Sequence, residues 1–165
     1  MTAAALDVHY PPEGGARAAL VLAADPSFAT VLDERTAVLA EVAPYRPGAF
    51  FERELPPLRA VLAGVRPDLL VVDGYVDLDP DGRPGLGAHL HREFAVPVIG
   101  VAKTPFRAAT HAVPVLRGAA TKPLLVTAAG LPLDRAAELV RVMAGPYRLP
   151  DALRRVDALA RRGTG

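Results

Sequence analysis

The sequence predicts an α/β fold: a mixed central sheet flanked by helices. Three observations carry this. The first 45 residues hold three β-like runs broken by turn-forming clusters. Two continuous apolar runs, "DLLVVDG" and "VPVIGVAK", enclose a helical stretch, as central parallel strands do. Amphipathic stretches then close the chain. At 165 residues, half of them hydrophobic, the chain fits one domain, residues 1–165, and no segment reads as a linker or repeat.

The N-terminal runs "AALDVHY", "RAALVLAA" and "TVLDERTAVLAEV" are separated by Pro-Pro-Glu-Gly-Gly and Asp-Pro-Ser, which suggests an antiparallel meander. "FFERELPPLRAVLAGV" has apolar residues at helical spacing, and Pro56 and Pro57 mark the expected start of the helix proper. "LGAHLHREFA" is the helix expected between the two central strands, giving a β-α-β unit. Two shorter strand-like runs follow, "HAVPVL" and "PLLVTA". The helix "LDRAAELVRVMAG" should end at Gly145-Pro146, and "DALRRVDALARRG" should form the last helix. Meander, helix, strand, helix, strand, helix is the order of a ribonuclease H-like fold.

Composition narrows the chemistry. No apolar run approaches the roughly 18 residues of a membrane span, and no basic-then-apolar leader opens the chain, so a cytoplasmic protein is expected. With no cysteine, any metal must be held by oxygen or histidine, which favours Mg²⁺ or Mn²⁺ over structural zinc. The net charge of +1 hides an asymmetry: residues 135–165 carry seven arginines against three acids, +4, and the remainder −3. Arginine outnumbers lysine 17 to 2, which fits a GC-rich genome as well as phosphate recognition.

Three acids stand out. Asp7 lies inside an apolar strand, Asp73 ends the first central strand, and Glu54 lies just before the connecting helix. Singly, each has an ordinary reading: an edge residue facing water, a turn-former before Gly74, a helix N-terminal charge. Together they gain meaning, because in the inferred fold the first and fourth strands are neighbours and their acids would face one another. Two-metal phosphodiester hydrolysis needs carboxylates from separate elements to meet in this way. Lys103, ending "IGVAK", would add a cation beside them.

The landmarks "ALDVHY", "PYRPGAFFERELP", "PDLLVVDG", "GLGAHL", "VPVIGVAK", "KPLLVTAAG" and "LDRAAELV" resemble, in order and near spacing, those of endonuclease V, a family that nicks nucleic acid near deaminated purines, especially inosine. The resemblance implies that Asp7, Glu54 and Asp73 are metal-binding residues, that Lys103 is the active-site lysine, and that Mg²⁺ (or Mn²⁺) is the cofactor. It implies that Tyr45, in Tyr-Arg-Pro-Gly with Pro47, is the wedge filling the gap left by an extruded nucleotide. A packed turn tyrosine is the alternative. Gly48, Gly74, Gly85 and Leu86 would form the base pocket, with Phe50 and Phe106 as apolar walls. Glycines there let backbone approach the base closely.

The chain also departs from the pattern. The family's helix before the first acidic strand is not seen ahead of Ala3, and "TAAGLP" stands where the family has a Ser-Pro-Gly-His-Arg-like loop, leaving Ala129 or Gly130 at the histidine. After Asp73, an acidic Asp79-Pro80-Asp81 replaces a basic patch, so Asp77 and Asp79 either supply compensating ligands or merely solvate a loop. His89 and His91, two apart on a helix, do not make a metal pair. His9 shares the strand face of Asp7, as a supporting residue or as an ordinary strand-end histidine. Two readings follow: a metal-dependent endonuclease acting on inosine in DNA or RNA, or an impaired relative that binds nucleic acid or a partner. A protein unrelated to nucleic acid would leave the three acids unexplained.

Overall fold

The computed structural model describes residues 1–44, 46–47 and 51–162. Strands β1 (Ala3–His9), β2 (Ala16–Ala23) and β3 (Val31–Leu39) form the antiparallel meander. Helix α1 (Phe51–Leu62) leads into β4 (Leu69–Asp73), and α2 (Leu86–Phe94) joins β4 to the parallel β5 (Val98–Ala102). β6 (Val113–Val115), β7 (Leu124–Ala129), α3 (Leu133–Arg141) and α4 (Asp151–Arg162) complete the order. The seven strands lie β3-β2-β1-β4-β5-β7-β6, with β4 and β5 parallel to β1's direction and β7 antiparallel to β5. This is the ribonuclease H-like arrangement the element order predicts.

Two differences have physical causes. α1 begins at Phe51 rather than at the prolines, so Pro56 and Pro57 lie inside it and each removes one ladder hydrogen bond. Burial of Leu55, Pro57, Leu58, Val61 and Leu62 against the sheet offsets that loss, at about 2 kcal/mol for a fully buried leucine. Glu54 therefore sits within the first turn of α1, not ahead of it. α3 ends at Arg141, before Gly145-Pro146, because a buried side chain captures its last carbonyls. That side chain is Arg117, only 3 % exposed, which donates to the carbonyls of Val140, Arg141, Met143, Gly145, Tyr147 and Arg148.

Strand alternation sets the two cores and aims the acids. Ala3 and Ala5 of β1, Leu69 and Val71 of β4, and Ile99 and Val101 of β5 pack beneath α3 and α4. Ala4, Leu6, Leu70 and Val72 pack against α1 and α2. At a period of two, Asp7, Asp73 and Lys103 continue the first set and so emerge on the α4 face. The parallel register pairs Leu6 with Val72, so Asp7 and Asp73 come one step beyond, side by side at the strand ends.

Candidate active site

The exit from β4 is rigid. Gly74, with φ +111°, turns the chain in a region that favours glycine, and its amide donates to the Val101 carbonyl at 2.9 Å. The Val76 amide donates to the buried Thr127 hydroxyl at 2.8 Å. Gly100 makes this crossing possible, since a Cβ there would come within 2.6 Å of the Gly74 carbonyl oxygen and 2.7 Å of Thr127 Oγ1. Asp73 is thus fixed at the carboxyl end of the central strand, where open α/β sheets collect ligands.

Asp7, Glu54, Asp73 and Lys103 all line one cavity of about 330 Å³, together with His9, Tyr10, Leu86, Asp157 and Arg161. Five separate elements and the residue after β5 therefore converge, four of them bringing a carboxylate. Asp157 is the one carboxylate of the cavity not singled out from the sequence. It sits on α4, whose inner face is Ala152, Leu153, Val156, Leu159 and Ala160, and it shares the side of Leu153 and Ala160 that packs over the acids. The signal was the helical phase of a lone acid in "LRRVDALARR".

The electrostatics are those of a crowded anionic site. Burial, with Asp157 and Asp73 nearby, raises the Asp7 carboxyl from 3.8 to about 7, against the partial offset of the Val8 amide that donates to it at 2.9 Å. Burial and then the charges of Asp7 and Asp73 raise Glu54 from 4.5 to about 8. Lys103 Nζ lies 3.0 Å from Asp73 Oδ2. Burial pushes the Lys103 ammonium down, but Asp73, Asp157 and Asp7 outweigh it and hold the group above its ordinary value. Tyr10 is raised too, by burial first and by Glu54 next, and its ring lies 4.2 Å from the Arg53 guanidinium carbon. Among the described residues no three acid or histidine side chains close into a finished cage, and Asp73 and Asp157 are each paired with a cation, Lys103 and Arg161.

The donor set suits a hard divalent cation: carboxylate oxygens from four elements, two of them destabilised as anions until positive charge arrives. Of the proposed base-pocket residues, Leu86 lines the cavity. Gly74 directly follows Asp73, and Gly85 precedes α2 with its amide donating to the Val76 carbonyl at 2.8 Å. Phe106 is 42 % exposed and its ring centre lies 5.9 Å from that of Tyr75, whose hydroxyl donates to the Thr104 carbonyl and accepts from the Phe106 amide. Pro47 is exposed in a turn; Tyr45, Gly48 and Phe50 lie outside the described residues.

The positions expected to replace or lack a ligand lie elsewhere. Ala129 pairs with Val98 at the start of β5, the end of the sheet opposite Lys103, and a Cβ on Gly130 would meet the His91 ring at 2.7 Å. A histidine missing from that place removes nothing from the cavity. Asp77 lines a separate depression with His91 and Ala129, and Asp79 accepts from the amides of Asp81 and Arg83 within its own turn.

The sequence profile described as Endonuclease V matches residues 1–130. An endonuclease V of Streptomyces avermitilis is 34% identical over 179 residues, spanning 95% of this chain and 78% of that protein. One of Streptomyces coelicolor is also 34% identical, over 94% of this chain and 76% of the relative. The crystal structure of the S. avermitilis enzyme superposes with a TM-score of 0.82 at 35% identity, over 98% of this chain and 80% of that one. A Ciona intestinalis endonuclease V variant, in complex with a 23mer DNA containing an inosine followed by a ribo-adenosine, shares the fold with a TM-score of 0.80 at 20% identity, over 98% of this chain and 84% of the other. The chain belongs to the endonuclease V family.

Proposed function

We propose that this protein is a divalent-metal-dependent endonuclease that hydrolyses a phosphodiester bond near inosine in DNA or RNA. The observation that carries the reading is the convergence of Asp7, Glu54, Asp73 and Asp157 with Lys103 on one cavity. The inosine-containing DNA held by the Ciona relative supports the substrate class.

Asp7, Glu54, Asp73 and Asp157 would hold Mg²⁺, with Mn²⁺ accepted by the same oxygen donors. A bound cation would supply a water acidified toward neutrality and neutralise charge on the phosphate. Asp7 and Glu54 carry protons near neutral pH without it and release them when positive charge arrives. Lys103, kept charged by the acids around it, can donate to a phosphate oxygen as negative charge builds there. Leu86 gives the cavity an apolar wall, Gly74 has open space where a Cβ would stand, and Gly85, with no room for one beside the Tyr75 carbonyl, lets the turn before α2 close next to them. Tyr45, Pro47, Gly48, Phe50 and Phe106 complete the proposed base-reading surface, with Tyr45 as the wedge. The two features that favour an impaired relative, the absent histidine and the acidic loop, do not line the cavity.

The test is cleavage of an inosine-containing strand with Mg²⁺, compared with the same strand carrying adenine. Wild type should cut only the first, and Asp73→Asn should abolish cutting while preserving the unfolding transition. Equal cleavage of both strands, or full activity in Asp73→Asn, refutes the proposal.

A further inference from the structure

The C-terminal segment supplies Asp157 to the cavity, but its arginines have no part in the chemistry proposed there, and they are not equivalent. Arg155 points away from the site and holds α4 to the sheet, donating to the Glu34 carboxylate of β3 at 2.5 and 2.9 Å. Arg161 lines the cavity and donates through Nε to both Asp157 oxygens at 3.1 Å. Arg17 fixes that end of the helix by donating to the Arg161 carbonyl at 2.9 Å. Arg154, three residues before Asp157, lies on the same helix side, and its guanidinium carbon stands 4.7 Å from the centre of the Tyr147 ring. Tyr147 is 59 % exposed. Its neighbour Arg148 donates to the Lys103 carbonyl at 2.6 Å, which anchors this turn at the cavity end of the sheet.

We infer that α4 and the turn before it form a track for a single nucleic-acid strand, with Arg154 and Arg161 each contacting a backbone phosphate on either side of Asp157 and Tyr147 offering its ring to an unpaired base. The inference rests on the endonuclease reading above and deepens it. Seven residues of helix separate the two arginines by about 10 Å along its axis, a span that nearby backbone phosphates of one strand can bridge. Two cations bracketing a carboxylate cavity complement a polyanion whose central phosphate meets the cation site and whose flanking phosphates need partners of their own. An exposed tyrosine stacked by a guanidinium is the kind of platform that takes a base without regard to sequence.

The test is anisotropy of a labelled single strand of about 20 nucleotides with one inosine, titrated in Ca²⁺ from roughly 50 to 300 mM KCl. Arg154→Gln and Arg161→Gln should each flatten the plot of log affinity against log salt by about 0.7, and the double variant by about 1.4. Arg155→Gln should keep the wild-type slope, and Arg161→Lys, which retains the charge, should keep it too. Tyr147→Ala should weaken binding roughly tenfold at every salt while Tyr147→Phe does not. Unchanged slopes in both glutamine variants, or an equal drop in Arg155→Gln, overturn the track while leaving the endonuclease reading intact. A wild type that fails to hold the strand at the lowest salt overturns that reading and the track with it.

Discussion

Asp7 is held in the fold at an energetic disadvantage, and its removal should make the protein more stable. Its carboxyl is raised from 3.8 to about 7, chiefly by burial and then by Asp157 and Asp73. At about 1.36 kcal/mol for each tenfold change, this is a ceiling of roughly 4 kcal/mol. A carboxyl whose folded pKa exceeds its unfolded value binds its proton more tightly when folded. The penalty is therefore absent below about 3.8, grows as pH rises toward about 7, and is complete above it. Glu54, raised to about 8, adds a penalty of the same sign over a range reaching slightly higher. Asp7→Asn removes the charge at nearly constant volume and keeps an oxygen for the Val8 amide. Urea unfolding in chelator, at about pH 5 and about pH 8, should show wild type losing stability as pH rises. Asp7→Asn should be the more stable protein at about pH 8, by roughly 1 to 4 kcal/mol once relaxation of the neighbouring acids is allowed for, with a much smaller difference at about pH 5. Cleavage should be lost in the same variant. An Asp7→Asn protein less stable than wild type at about pH 8 without metal would mean that the fold does not disfavour the Asp7 anion.

Asp157→Asn should lower inosine-strand cleavage roughly 100-fold or more and weaken Mn²⁺ binding measured by calorimetry, since it removes a donor that packing aims at the cavity. Arg117→Met should destabilise the protein by about 3 to 5 kcal/mol in urea unfolding, because six backbone carbonyls lose a donor in a buried place. Ala129→His should leave cleavage rates within about twofold of wild type, because that position lies at the far end of β5 and β7 from the cavity.

Much of this was legible because local pattern and tertiary role coincide. "DLLVVDG" and "VPVIGVAK" are buried on both faces, so their apolar continuity is their structure, and the acid or lysine that ends each marks the sheet's ligand edge. Asp7 was visible as a charge within an apolar strand. Asp157 was not, because a single acid among arginines on a surface helix reads as solvated charge until the helix's packing phase is known. The start of α1 was hidden by Pro56 and Pro57, whose local preference is overruled by burial on the sheet. The place of Ala129 depended on β7 running antiparallel to β5, a pairing direction that a short apolar run does not encode.

Calorimetric titration of Mg²⁺ at about pH 7 in buffers of different ionisation enthalpy reports whether the four carboxylates share one cation site at which Asp7 and Glu54 hold protons in the cation's absence. Binding should be accompanied by release of about one proton or more, taken from Asp7 and Glu54. Mg²⁺ binding with no proton released, or binding left unchanged by Asp157→Asn, would overturn the shared site.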